Sequence, residues 1–107
     1  HDPAAETELM LILQKAGFTV VDDKSKEKPD LEITGDAFSA SGLRKGNLVS
    51  CKARIELKVF DLKARKLLLV DRQTSVAVDV AEQTAAKTSL QNAALELAER
   101  VLPKLVK

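Results

Sequence analysis

From Leu48 to Val78 the chain reads as two alternating runs joined by a short polar link, and from Asp79 it becomes a long alanine-rich amphipathic helix. That order constrains the fold strongly, because a sheet with one apolar face needs a cover and the helix that follows directly supplies it. In the first run Val49, Cys51, Ala53, Ile55, Leu57 and Val59 share one face, while Lys52, Arg54, Glu56 and Lys58 share the other. A period of two sustained over that length marks a half-solvated antiparallel strand. The second run, Lys66 to Val78, stays extended with Thr74, Val76 and Val78 on one face, so the two runs should form a long hairpin. Its loop, Asp61 to Lys66, lacks the glycine that a left-handed position favours, which makes Arg65 the residue expected to carry any positive φ.

Asp79 and Glu82 stand three apart at the helix start, an aspartate form of the capping box in which two unpaired amides are satisfied. Ala86, Leu90, Ala93, Ala94, Leu97, Val101 and Leu105 line one side of the helix, and Lys87, Gln91 and Glu99 the rest. Pro103 should bend or end it near Leu102. At the other end Asp2-Pro3 opens a first helix whose stripe is Ala5, Leu9, Ile12, Leu13 and Ala16, and Gly17 stops it. Phe18 to Asp22 reads as a short strand, Asp23 to Pro29 as an exposed connection, and Leu31 to Asp36 as a strand with one wet face, Leu31, Ile33 and Gly35 alternating with Glu32, Thr34 and Asp36. Ser39 to Asn47, with Gly42 and Gly46, reads as a loop or hairpin end. The expected fold is α+β, an α/β sandwich of order α-β-β-β-β-α. Its sheet is mixed but mostly antiparallel, contains the long hairpin, and is packed by the N- and C-terminal helices.

At 107 residues the chain fits one domain, residues 1–107, and 45% hydrophobic against 31% charged content is ordinary for a globular core. Seventeen Lys and Arg against sixteen Asp and Glu leave a net charge of +1, too little to recruit nucleic acid or anionic lipid through an overall field. Cys51 is the single cysteine, which rules out an internal disulfide and an all-cysteine metal site within one chain. No apolar run approaches the length that spans a bilayer, so membrane attachment is expected only through an anchor or domain not present in this sequence. His1 is an odd first residue for a translation product, and the chain is accordingly expected to be a processed piece of a longer precursor.

The phrases Leu13-Gln14-Lys15-Ala16-Gly17-Phe18-Thr19-Val20-Val21-Asp22 and Pro29-Asp30-Leu31-Glu32-Ile33-Thr34-Gly35-Asp36, followed by the hairpin and the alanine-rich helix, make the chain similar to a known group. It resembles the periplasmic α/β domains of bacterial envelope proteins, which include the curli secretion protein CsgG, the penicillin-binding-protein activator LpoB and the flagellar assembly T proteins. In that group a helix leads to a strand ending in a phrase like Val20-Val21-Asp22, and a later strand ends in a glycine at the position of Gly35. The resemblance implies a non-enzymatic, lipoprotein-like factor of the periplasm or outer membrane that works by binding other envelope proteins. It brings no catalytic residue and no cofactor. The chain departs from the group at Arg65, where a turn glycine is common, and in having no lipid-attachment cysteine ahead of the domain.

Few residues qualify as chemistry. Cys51 alternates with Val49 and Ala53 and should face the core, where a thiolate is disfavoured. His1 is the single histidine and lies far from it in sequence, so neither a Cys-His pair nor a histidine metal site is expected. Asp22, Asp23, Asp36, Asp61, Asp71 and Asp79 fall mostly at element ends, where carboxylates cap helices and shape turns. The segment Ser41-Gly42-Leu43-Arg44-Lys45-Gly46-Asn47 offers Arg44 and Lys45 as a possible loop site for a small ligand or nucleic acid. It lacks the lysine-hydroxyl ending of a phosphate loop. The exposed hairpin face, Lys52, Arg54, Glu56 and Lys58 with Phe60, mixes both signs around an aromatic and is the candidate protein-docking surface, with free sheet edges as a second route.

Overall fold

The computed structural model describes residues 4–15, 17–21 and 28–105. Two helices and three strands follow in the order α1 (Ala4–Lys15), β1 (Leu31–Lys45), β2 (Leu48–Asp61), β3 (Lys66–Asp79) and α2 (Glu82–Leu105). The strands form one antiparallel sheet in the order β1-β2-β3, with β2 in the centre. The hairpin of β2 and β3 lies within a residue of its sequence-derived limits. The fold class is α+β as expected, but the sheet has three strands instead of four and is wholly antiparallel instead of mixed.

The missing strand is the segment after α1. Phe18 to Val21 is neither helical nor paired in the sheet, although Phe18, Val20 and Val21 are half-buried. Apolar, β-branched residues there satisfy their side chains by burial without giving their backbone to a ladder. Asp2-Pro3, Ala16, Asp22 and most of the connection from Asp23 lie outside the described residues. The stop at Gly17 has full geometry: its φ is 98°, its amide donates to the Gln14 carbonyl at 3.1 Å, and the Phe18 amide donates to Leu13 at 3.0 Å. These are the paired bonds of a Schellman motif, and glycine is the residue that takes the left-handed position without a Cβ penalty.

β1 is longer than its sequence suggested, because neither Gly35 nor the segment Ser39 to Asn47 ends it. Gly35 pairs with Leu57 in mid-strand, and a methyl group on its Cα would lie 2.2 Å from the Glu56 carbonyl oxygen. Its role is close backbone approach within the sheet rather than termination. The expected loop shrinks to a two-residue turn, Gly46-Asn47 between paired Lys45 and Leu48, with Gly46 at φ 61°. Ahead of it Gly42 and Leu43 together oppose Ser50 as a β-bulge, where the Leu43 amide donates to Ser50 Oγ at 3.1 Å.

Both helices lie on the same face of the sheet. Val49, Cys51, Ala53, Ile55, Leu57 and Val59 of β2 are buried against Ala85, Leu90, Ala93, Ala94, Leu97 and Val101 of α2. Alanines bring the helix close to the sheet, and each fully buried leucine or valine contributes about 1.5–3 kcal/mol over leaving it in water. Ala4 and Ala5 of α1 join the same core, and Leu9 and Leu13 close its end over Ile33, Leu57 and Leu97. α2 begins later than its capping pattern implied. The Ala81 carbonyl accepts the first helical bond, from the Ala85 amide, so Ala81 rather than Asp79 is the N-cap. Asp79 instead ends β3, and its Oδ1 accepts from the Ala81 amide at 3.1 Å across the corner. Pro103 sits inside α2, which continues to Leu105. Only the last turn is affected, so the lost amide bond does not stop the helix.

Candidate docking face

β2 carries the candidate docking residues on the face turned away from the helices. Lys52, Arg54, Glu56 and Lys58 alternate with the buried row, and Phe60 continues that outer face beyond a register shift between Val59 and Phe60. Because β2 is central, its outer row is flanked on both sides. Cross-strand pairing sets Ala40, Phe38, Asp36, Thr34 and Glu32 of β1 beside Lys52, Arg54, Glu56, Lys58 and Phe60 respectively. On the other side stand Val76, Thr74, Arg72, Val70 and Leu67 of β3. Among the described residues no element covers this surface.

Its chemistry is a mosaic. Glu32, Asp36 and Glu56 alternate with Lys52, Arg54, Lys58 and Arg72, so charges of both signs lie one rung or one strand apart. Arg54 Nη2 donates to Glu56 Oε1 at 2.7 Å along the strand, while Arg54 Nε is shielded from water and makes no hydrogen bond. Apolar side chains interrupt the charges: Phe38 is 56% exposed, and Val70, Val76 and Val78 are 57–58% exposed. Across the middle of the face Thr34, Asp36, Glu56, Lys58, Val70 and Arg72 line an open depression of about 630 Å³. The Gly35 backbone borders it.

Arg44 and Lys45 are not brought together as a loop site. Both lie on β1, opposite Val49 and Leu48 respectively, and strand alternation sends successive side chains to opposite faces. The backbone around them is engaged in a bulge and a tight turn, with no open row of amides to cradle a phosphate. Cys51 is 1% exposed, its Sγ lies 3.6 Å from the Glu82 carbonyl oxygen, and burial, then the Glu82 charge, pushes its thiol pKa up. Such a thiol is a core residue. No group of three or more His, Cys, Asp or Glu side chains converges among the described residues. No helix there is long and apolar enough to cross a membrane.

One polar cluster was not anticipated from sequence. The inward row of β3 reads Asp71, Gln73 and Ser75, facing α2. Arg100 reaches across from α2: its Nε and Nη2 donate to Asp71 at 3.2 and 3.1 Å, its Nη2 donates to the Arg72 carbonyl at 2.7 Å, and its Nη1 donates to Gln73 Oε1. Gln73 Nε2 donates to Glu96 Oε2 at 2.6 Å. The Arg100 hydrogen bond lowers the Asp71 carboxyl pKa from its ordinary value. The signal was present as the polar member of the β3 alternation, three consecutive inward positions lacking an apolar side chain. Their partners on α2 could be matched only once the helix was placed.

A crystal structure of a "putative lipoprotein" from Caulobacter crescentus CB15 is similar to this chain, with a TM-score of 0.58 and 11% sequence identity, covering 95% of this chain and 76% of that one. A likeness at that identity speaks for the fold alone. No protein-family model and no curated relative matches the chain.

Proposed function

We propose that the chain is a non-catalytic protein-interaction or assembly domain of the bacterial cell envelope, periplasmic or outer-membrane-associated, that docks other envelope proteins through the outer sheet face. The observation that carries this reading is the one-sided helix cover. A three-stranded sheet with both helices on one face leaves Lys52, Arg54, Glu56, Lys58 and Phe60 in the centre of a surface edged by exposed Phe38, Val70, Val76 and Val78. Charges of both signs steer a partner of complementary pattern, and the exposed apolar side chains on either side of them give it area to bury. The envelope placement draws on the sequence resemblance to the curli, penicillin-binding-protein activator and flagellar assembly group, and on the name of the similar Caulobacter protein.

Capture from an envelope extract tests the reading. Immobilised chain should retain a specific protein, the double variant Lys52→Glu, Lys58→Glu should lose it, and Lys87→Glu on the outer side of α2 should not. Retention of nothing specific, or equal loss in both variants, would refute the docking face; turnover of a small substrate by the chain would refute the non-catalytic reading.

A further inference from the structure

Among the described residues β1 is an edge strand with little protection along most of its length. Edge strands are normally short, covered, twisted by a bulge, or interrupted by proline or an inward charge, because free amides and carbonyls invite pairing with another chain. β1 runs for fifteen residues with no proline, its bulge and its inward charge, Arg44, both fall in its last four residues, and from Thr34 to Lys45 only Ser39 is even half-buried. α2 lies mainly over β2 and β3, so among the described residues the second half of β1 is left open on both faces. The accessible surface, 7658 Å², exceeds the roughly 5,800 Å² of a compact monomer of this mass.

Two opposite charges, Glu32 and Lys45, stand symmetrically about the middle of β1. On the outer face Glu32 pairs with Phe60, Phe38 with Arg54 and, beyond the bulge, Lys45 with Leu48. Measured along β2, Phe38 therefore lies midway between Glu32 and Lys45, six rungs from each. The bulge at Gly42 and Leu43 produces this match: it adds one residue to β1 and so turns Lys45 to the same face as Glu32. If a second β1 is laid antiparallel alongside with a two-fold axis through Phe38, Glu32 of each chain meets Lys45 of the other. Phe38 then meets its own copy, and Asp36 meets Ala40. On the inner face Gly35 meets Ser41 and Ala37 meets Ser39, all small residues, and farther out Ile33 meets Arg44. On β3, the other edge, the same spacing recurs, with Lys66 and Asp79 each six rungs from Gln73, but it lies on the inner face, where Arg100 and Glu96 of α2 engage Gln73.

We propose that two copies of this chain join through β1, antiparallel and centred on Phe38, into a continuous six-stranded sheet with all helices on one face. Main-chain pairing supplies the association, and the two Glu32–Lys45 pairs and the aromatic pair set the register. The two-fold makes the interface isologous and closed, so it ends at a dimer. This goes beyond the docking face and does not depend on it, because the outer face stays open in the joined sheet.

The test is oligomeric state with a register probe. Sedimentation from about 1 µM to 1 mM should show a monomer–dimer equilibrium. Glu32→Lys alone and Lys45→Glu alone should each weaken it about tenfold, and the double exchange should restore it. Phe38→Cys should form a symmetric disulfide-linked dimer under mild oxidation, whereas Val76→Cys on the far edge should not. Circular dichroism of each variant separates a lost interface from a lost fold, and all the substituted side chains are exposed. A monomer throughout the range overturns the proposal and leaves the edge to a foreign strand. A dimer that ignores the charge exchange overturns it equally, as does cross-linking by the Val76→Cys variant in place of the Phe38→Cys variant. None of these results bears on capture of a partner by the outer face.

Discussion

Single residues carry several of the constraints, and two have opposite signs. Arg65 closes the β2–β3 turn at φ 56°, while the carboxylate of Asp61 accepts from the Lys63 and Ala64 amides at 3.0 and 2.9 Å. An L-residue in the left-handed region costs on the order of 1 kcal/mol that glycine does not. Arg65→Gly is therefore expected to raise the thermal midpoint by a few degrees in a calorimetric scan, and an unchanged or lower midpoint would show that the glycine's extra freedom in the unfolded chain offsets the relief. Gly35 is the reverse case. Gly35→Ala forces a methyl against the Glu56 carbonyl, a backbone atom that cannot swing aside, and should destabilise the domain by about 1–3 kcal/mol in urea titration. In the sequence Arg65 stood in a turn and Gly35 in a strand; the close approach of β1 to β2 at Gly35 was not legible there, because it depends on pairing that local sequence does not encode.

Between elements, the sheet is held to α2 by two unlike contacts. Over β2 the contact is aliphatic, and Leu97, wholly buried, is its middle. Leu97→Ala should cost roughly 2–5 kcal/mol by denaturant titration, enough to unfold a marginal domain at moderate temperature. Over β3 the contact is the fork of Arg100 on Asp71, in contact with water along one side. Ionised Asp71 gains this partner only in the folded chain, so its folded pKa lies below its unfolded one. The resulting stability is complete above the unfolded carboxyl value and drains as pH falls through the lower folded value. Asp71→Asn should remove that acid-side slope while lowering stability at neutral pH by about 1 kcal/mol, a small loss because the pair is partly solvated. Acid titrations of the two proteins that run parallel would exclude the linkage. These contacts also mark what could be read in advance. Period two in β2 and period 3.6 in α2 placed the hairpin, the helix and the docking row Lys52 to Phe60, because one strongly biased face leaves one assignment. Phe18 to Val21 and the inward row of β3 were misjudged or missed, since burial without pairing and polar pairing across elements both follow from where other elements come to lie.

The whole molecule is long, 52 × 24 × 21 Å, and its length is that of its strands: fifteen residues of β1 at about 3.3 Å each span nearly 50 Å. Protection should therefore be uneven across the sheet. β2 is paired on both sides and buried on its inner face, so its amides open only with the domain. β1 is paired on one side, and beyond Gly35 it has few buried side chains to resist fraying. Local opening free energy follows such differences in burial and pairing. Hydrogen exchange at concentrations where the chain is monomeric should show the amides from 36 to 45 exchanging orders of magnitude faster than those from 51 to 59. Within β1 the fast amides should alternate, because every second N–H points to the open edge while its neighbours are bonded to β2. Uniform slow exchange along β1 in the monomer would mean that its edge is already covered within one chain, and the outer sheet face would then be the surface left for partners.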